Sequence, residues 1–175
     1  VVIAFLCLFI AIGYTSAFAH SGAVALAAPV SDLAVDGDLS DWPKTAIWYP
    51  IHRTEFSEAP LNAEDIQARF CTGYNESENA LYIAIEVHDE SVILLDTGGN
   101  WRNQDGSGLY LDVEHNDITS PVLHYALWGN IHRVAGTPGK EGRPEDYTVG
   151  HAHGNGKHIY EWKIHMDNAS RGQVK

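Results

Sequence analysis

Three groups of residues in this 175-residue sequence have the types and spacing to do chemistry. The first is Trp101-Arg102-Asn103-Gln104-Asp105-Gly106-Ser107-Gly108, which runs into Leu109-Tyr110-Leu111-Asp112-Val113-Glu114. A tryptophan just ahead of an acid that opens a strand can serve as an apolar platform. Its indole face stacks on the C–H face of a pyranose while neighbouring polar groups bond the hydroxyls. The alternative of equal weight is a tryptophan packed on the sheet edge.

The second group is acidic: Asp36, Asp38, Asp41, Asp89, Glu90, Asp105, Asp112, Glu114 and Asp117. Calcium takes roughly six to eight oxygens, and Asp36, Asp38, Asp89 and Asp105 are the candidate ligands. The spacing is not that of an EF-hand loop. The plainer reading of Val35-Asp36-Gly37-Asp38 is a turn, and Asp112 and Glu114 share a strand face where solvation is expected. The third group comes from the ten histidines. His151, His153 and His158 could supply three imidazoles, the number a catalytic zinc needs. They sit in or beside a glycine-rich stretch without the glutamate of hydrolytic zinc motifs, so solvent-facing imidazoles are expected. A metal held there would be nickel or zinc, lost below a pH of about 6.5.

Groups for catalysis are missing. No two carboxylates stand out as a glycosidase pair, and no Ser/His/Asp order or nucleophile elbow is present. Cys71 has no obvious partner base, and a lone cysteine on a strand is ordinarily a small core residue. The expectation is a binding protein rather than an enzyme, with no organic cofactor.

Strands must position these groups. Ala80 to His88 alternates Leu81, Ile83, Ile85 and Val87 with Tyr82, Ala84, Glu86 and His88, the period of a half-buried strand. Leu109 to Glu114 repeats the pattern. His158 to Met166 does so again, with Tyr160, Trp162, Ile164 and Met166 as the core face. Val122–Trp128 and Ile131–Ala135 flank Gly129-Asn130, a hairpin signal. Ile66 to Thr72 is a further strand. Gly136 to Asn155 reads as a long loop with one short strand around Tyr147 to Val149. No segment holds a helical period. The fold class expected is all-β, an antiparallel sandwich of jelly-roll type.

Residues 1–19 carry no charge, and Val1 to Tyr14 is almost wholly apolar. Ala17 and Ala19 form an A-x-A site, which predicts a signal peptide cleaved before His20 and a secreted or periplasmic product with no membrane insertion. The run lacks a basic start, so the signal is read as incomplete. Residues 20–30 are expected to be a loose lead-in and 31–175 the sandwich. Removing the leader takes Cys7 with it and leaves Cys71 alone, so no intrachain disulfide is expected. The net charge of −12 disfavours nucleic acid and anionic lipid, which need basic patches. Asn75-Glu76-Ser77 and Asn168-Ala169-Ser170 are glycosylation sequons in a eukaryotic setting.

Five motifs occur in a familiar order. They are Val-Asp-Gly-x-Leu-x-Asp-Trp from Val35, Ala-Leu-Tyr-Ile-Ala-Ile-Glu-Val-x-Asp from Ala80, and Trp-x-x-x-Asp-x-x-x-Leu-Tyr-Leu-Asp from Trp101. Tyr-x-x-x-Gly-Asn from Tyr125 and Tyr-x-Trp-x-Ile from Tyr160 complete the set. Over residues 31–167 the chain resembles carbohydrate-binding module family 9 and the wider group of sugar- and haem-binding sandwiches. The resemblance implies a non-catalytic module that binds a poly- or oligosaccharide of xylan or cellulose type. It implies attachment to a glycoside hydrolase or surface protein, with structural calcium. Trp101 matches the first of the family's two sugar-clamping tryptophans, with one residue more before the acid than is usual. Asp105 matches that acid, and Arg133 falls where a polar or basic sugar contact is common. The second tryptophan and the last strands are expected to lie beyond Lys175. Two other readings stand beside this one: a haem-binding electron-transfer domain, for which Met166 would be the only methionine ligand, and a sensing module of a larger protein.

Overall fold

The structure, a computed structural model, describes residues 24–52, 65–89, 91–94, 103–112, 123–129, 131–135 and 142–170. The apolar leader, its cleavage position and Trp101 lie outside the described residues. Nine strands are present among those described: β1 (Ala27–Pro29), β2 (Tyr49–Ile51), β3 (Ile66–Asn75), β4 (Ala80–Asp89), β5 (Gly106–Leu111), β6 (Leu123–Trp128), β7 (Ile131–Ala135), β8 (Tyr147–Gly154) and β9 (Lys157–His165). A short helix, α1 (Met166–Ala169), follows. No helix among these residues is long and apolar enough to cross a membrane.

Two sheets result. The larger runs β1-β3-β4-β9-β8, with β2 also on β3, and the smaller runs β5-β6-β7. The chain leaves the large sheet after β4, builds the small sheet, and returns so that β9 pairs antiparallel with β4 from Ala80↔His165 to His88↔Lys157. β1 and β2 divide one edge of β3. β2 pairs antiparallel with Ala68–Phe70, and β1 pairs parallel with Thr72–Tyr74. The expected antiparallel sandwich is therefore present, with one short parallel pair at its edge.

Period-two patterning built the inner layer. Ile83, Ile85, Tyr160, Trp162 and Ile164 from the large sheet meet Leu123, Tyr125 and Leu127 from the small one. Trp162 is completely buried, and its indole N–H donates across the sandwich to Ser107 Oγ at 3.0 Å. A buried indole needs such a partner, since an unpaired buried donor costs about 1–3 kcal/mol. Tyr125 is anchored likewise, its hydroxyl donating to Asp146 Oδ2 at 2.9 Å.

Three expectations need correction. β4 is not half-buried: Tyr82 and Ala84 on its second face are covered by Trp42, Val30, Leu33, Val35, Leu39 and Trp48 from the N-terminal segment. That segment forms a third layer, which alternation within β4 could not reveal. The lead-in is not loose throughout, because Ala27–Pro29 is β1. The stretch read as a long loop holds an eight-residue strand, β8. Its glycines hid the signal, but β9 pairs with it along its whole length. Cys71 is a fully buried core residue, and desolvation pushes its thiol up to about 12, which makes it inert.

Candidate functional site

The Val35-Asp36-Gly37-Asp38 turn lies across β8. A side chain on Gly37, which has φ of +88°, would meet Ala152 N and the His151 carbonyl carbon at 2.6 Å. A side chain on Gly150 would run into the Val35 carbonyl. This close approach delivers two amides to a buried acid on β9. Glu161 Oε2 accepts from Gly37 N at 2.7 Å and from Asp36 N at 3.1 Å, and Oε1 accepts from Trp42 Nε1 at 2.6 Å. Burial raises the Glu161 carboxyl above its usual range, opposed by those three bonds. The first sequence motif is thus a structural knot that fastens the outer layer to the large sheet.

The calcium candidates divide between two places. Asp36 Oδ1 accepts from Asp38 N, and Asp38 Oδ1 from Ser40 N. Both belong to the turn over the outer face of the large sheet. Asp89 Oδ1 accepts from Ser91 N and Oγ. Asp105 Oδ2 accepts from Ile93 N at 2.7 Å, while its own N–H donates to the Ile93 carbonyl. Each carboxylate spends an oxygen on a turn amide, and the four do not converge. Among the described residues no group of three or more His, Cys, Asp or Glu could hold a metal ion. This donor set does not fit one calcium, which needs roughly six to eight oxygens around it.

Asp105 instead organises a rim. Its backbone carbonyl accepts from Gly129 N, at the β6–β7 turn. His158 Nε2 lies 3.9 Å from Asp105 Oδ2 and 3.2 Å from the Ser91 carbonyl. His158 Nδ1 lies 2.7 Å from His153 Nδ1. The Ser91 carbonyl requires a proton on His158 Nε2, so in the neutral pair His153 donates from Nδ1. That leaves His153 Nε2 unprotonated, and it is buried without a hydrogen-bond partner. Burial, with His158 and His151 nearby, holds His153 below the usual imidazole range. The expected solvent-facing imidazoles are thus corrected: His153 is half-buried and His158 is buried, because both lie on paired strands.

Beyond the rim is the outer face of the small sheet. Ser107 and Leu109 turn to the core, so Gly106, Gly108 and Tyr110 occupy the other face. Register sets Gly106 opposite Trp128, Gly108 opposite Ala126, and Tyr110 opposite His124. Ala126 in turn pairs with Arg133 of β7, so Arg133 belongs to the row Gly108–Ala126–Arg133. Gly106 and Gly108 are exposed on this face, whereas Ala126 beside Gly108 is covered. A side chain on Gly106 would collide with the Trp128 ring, and one on Gly108 would meet His124 Nε2 at 3.2 Å. Tyr110 and His124 stack at 4.2 Å with an interplanar angle of 5°. Asp105 and the Arg133 position therefore flank one face. Sequence reasoning passed over Tyr110, His124 and Trp128, whose pairing is set by the register of β5 on β6.

No family model matches the chain, and no curated protein sequence does. The fold does have solved counterparts. A carbohydrate binding module family 9 from Caldicellulosiruptor kristjanssonii in complex with cellotriose is 18% identical, with a TM-score of 0.58 over 81% of this chain and 67% of that one. The same organism's module in complex with glucose gives 18% identity and a TM-score of 0.59, over 81% and 68% of the two chains. The order of motifs, the two sheets and these structures agree, and the chain shares the β-sandwich fold of the family 9 carbohydrate-binding modules.

Proposed function

We propose that this chain is a non-catalytic module that binds a neutral carbohydrate on the outer face of its small sheet, at the end where Asp105 opens β5. The observation that carries the reading is the exposed pair Gly106 and Gly108 on β5, between Trp128 and the Tyr110–His124 pair. Flat apolar surface edged by rings and a few polar groups suits a pyranose, which offers a C–H face and a rim of hydroxyls. The solved structures of this fold hold glucose and cellotriose, which favours a polysaccharide of cellulose or xylan type. The net charge of −12 favours a neutral polymer over an anionic one.

Trp101 stands four residues before Asp105 and is the residue we assign to stacking on the sugar, with Asp105 holding the rim and Arg133 bonding hydroxyls. Export through the N-terminal signal would deliver the module to polysaccharide outside the cell. Attached to a glycoside hydrolase or surface protein, it would raise the local concentration of that partner on its substrate.

The test is calorimetric titration of the chain with glucose, cellotriose and xylotriose. Saturable binding of at least one sugar is expected, abolished by Trp101→Ala and weakened by Arg133→Ala. Absence of binding to all three sugars overturns the reading.

A further inference from the structure

The Tyr110–His124 pair adds something to the face on which the preceding proposal rests. Tyr110 is 66% exposed on β5, an edge strand of the small sheet among the described residues. It is nevertheless held in place. One face of the ring lies parallel to His124 at 4.2 Å, and His124 leans over Gly108, where a Cβ would sit 3.2 Å from its Nε2. The glycine makes room for the imidazole, and the imidazole fixes the tyrosine. A preorganised ring loses little freedom when a ligand covers its other face.

Position along the strand decides what that ring can serve. Tyr110 lies four residues beyond Gly106, roughly 13 Å along β5 at about 3.3 Å per residue. Trp128 covers the Gly106 end, and Asp105 precedes it. A single pyranose at the Asp105 end does not reach Tyr110; a chain laid along β5 does.

We propose that Tyr110, backed by His124, is a second stacking subsite, so that an oligosaccharide lying along β5 meets both ends of the face while a single sugar meets one. The inference rests on the carbohydrate reading of this face. It assigns Tyr110 a role in length selectivity: the tyrosine contributes to binding of the longer ligand and not of the monosaccharide.

The experiment compares the wild-type chain with Tyr110→Ala and Tyr110→Phe, titrated with glucose and with cellotriose. Wild type is expected to bind cellotriose more tightly than glucose. Tyr110→Ala is expected to bind cellotriose about tenfold more weakly, the scale of one aromatic stacking contact, with glucose affinity unchanged. Tyr110→Phe, which keeps the ring, is expected to match wild type. Unchanged cellotriose binding by a folded Tyr110→Ala overturns the second subsite and leaves the carbohydrate reading standing. Equal losses for glucose and cellotriose also overturn it, since the ring would then serve the first sugar. A wild type that binds neither sugar overturns both. Near-ultraviolet circular dichroism confirms that the variants are folded, and His124→Ala, which removes the support and leaves the ring, is expected to give a smaller loss for cellotriose alone.

Discussion

At the Glu161 knot, Trp42 is 7% exposed and gives its N–H to a buried carboxylate, whereas on the small sheet Tyr110 is 66% exposed and rests on His124. Both regions combine a ring, an aspartate-glycine step and close backbone packing. In the knot the polar partners are internal. Asp36 N, Gly37 N and Trp42 Nε1 all converge on Glu161, so the region is finished without a ligand. On the small sheet the glycines make room for rings that still face outward. Aromatic and acidic residues at similar spacing therefore serve stability in one place and present a surface in the other. What separates them is that the knot's ring is buried on its internal partner, whereas Gly106, Gly108 and Tyr110 stay exposed among the described residues.

The largest effects should come from breaking the knot. Trp42→Ala removes a buried indole and leaves Glu161 short of a donor. It should cost about 3–5 kcal/mol in urea unfolding, with sugar affinity of the folded fraction unchanged. A loss of affinity at intact stability would show that the knot belongs to the binding region. Gly150→Ala comes next. Its new methyl would press on the Val35 carbonyl, an overpacking that should cost about 1–3 kcal/mol. Gly154→Ala on the same strand has nothing within 4 Å of the added carbon, and its unfolding midpoint should stay within about 0.5 kcal/mol of wild type. Equal effects from the two substitutions would contradict the close approach of the outer layer to β8.

A smaller effect is expected at the rim, and it depends on pH. The folded state holds His153 below its ordinary value, so the unfolded chain takes up the proton first. That stabilising contribution is complete above pH about 6.5 and is lost as pH falls through the folded value. Glu78, Glu86, Glu161 and His165 also titrate with shifted values, so the His153 part is isolated by difference. His153→Phe should flatten the decline in melting temperature between pH 7 and 5. An unchanged slope would remove His153 from the account.

The order and the inner faces of the strands were legible because Leu81, Ile83 and Ile85 alternate, as do Tyr160, Trp162 and Ile164. Alternation reports burial on one face only, so the third layer over Tyr82 and Ala84 could not be read from β4. Glu161 was passed over for the same reason: it lies on the face that alternation marks as solvent. β8 was hidden because Gly150 and Gly154 resemble loop residues, and only pairing with β9 makes Gly150 a contact point. At the candidate site, Asp105 stood out through its place before a strand, and Gly129 through the hairpin. The Tyr110–His124 stack is a cross-strand fact, set by the register of β5 on β6, and no spacing within one strand contains it. The acids proposed together as calcium ligands share a composition but sit on opposite sides of the large sheet.

Amide and indole chemical-shift mapping during titration of the ¹⁵N-labelled chain with cellotriose tests the central claim most directly. The account predicts the largest shifts at Gly106, Gly108, Tyr110, Ala126 and the Trp128 indole, with Trp42 and Gly37 unmoved. Shifts centred on the Trp42–Glu161 knot, or none on β5 and β6 at saturating sugar, would contradict it.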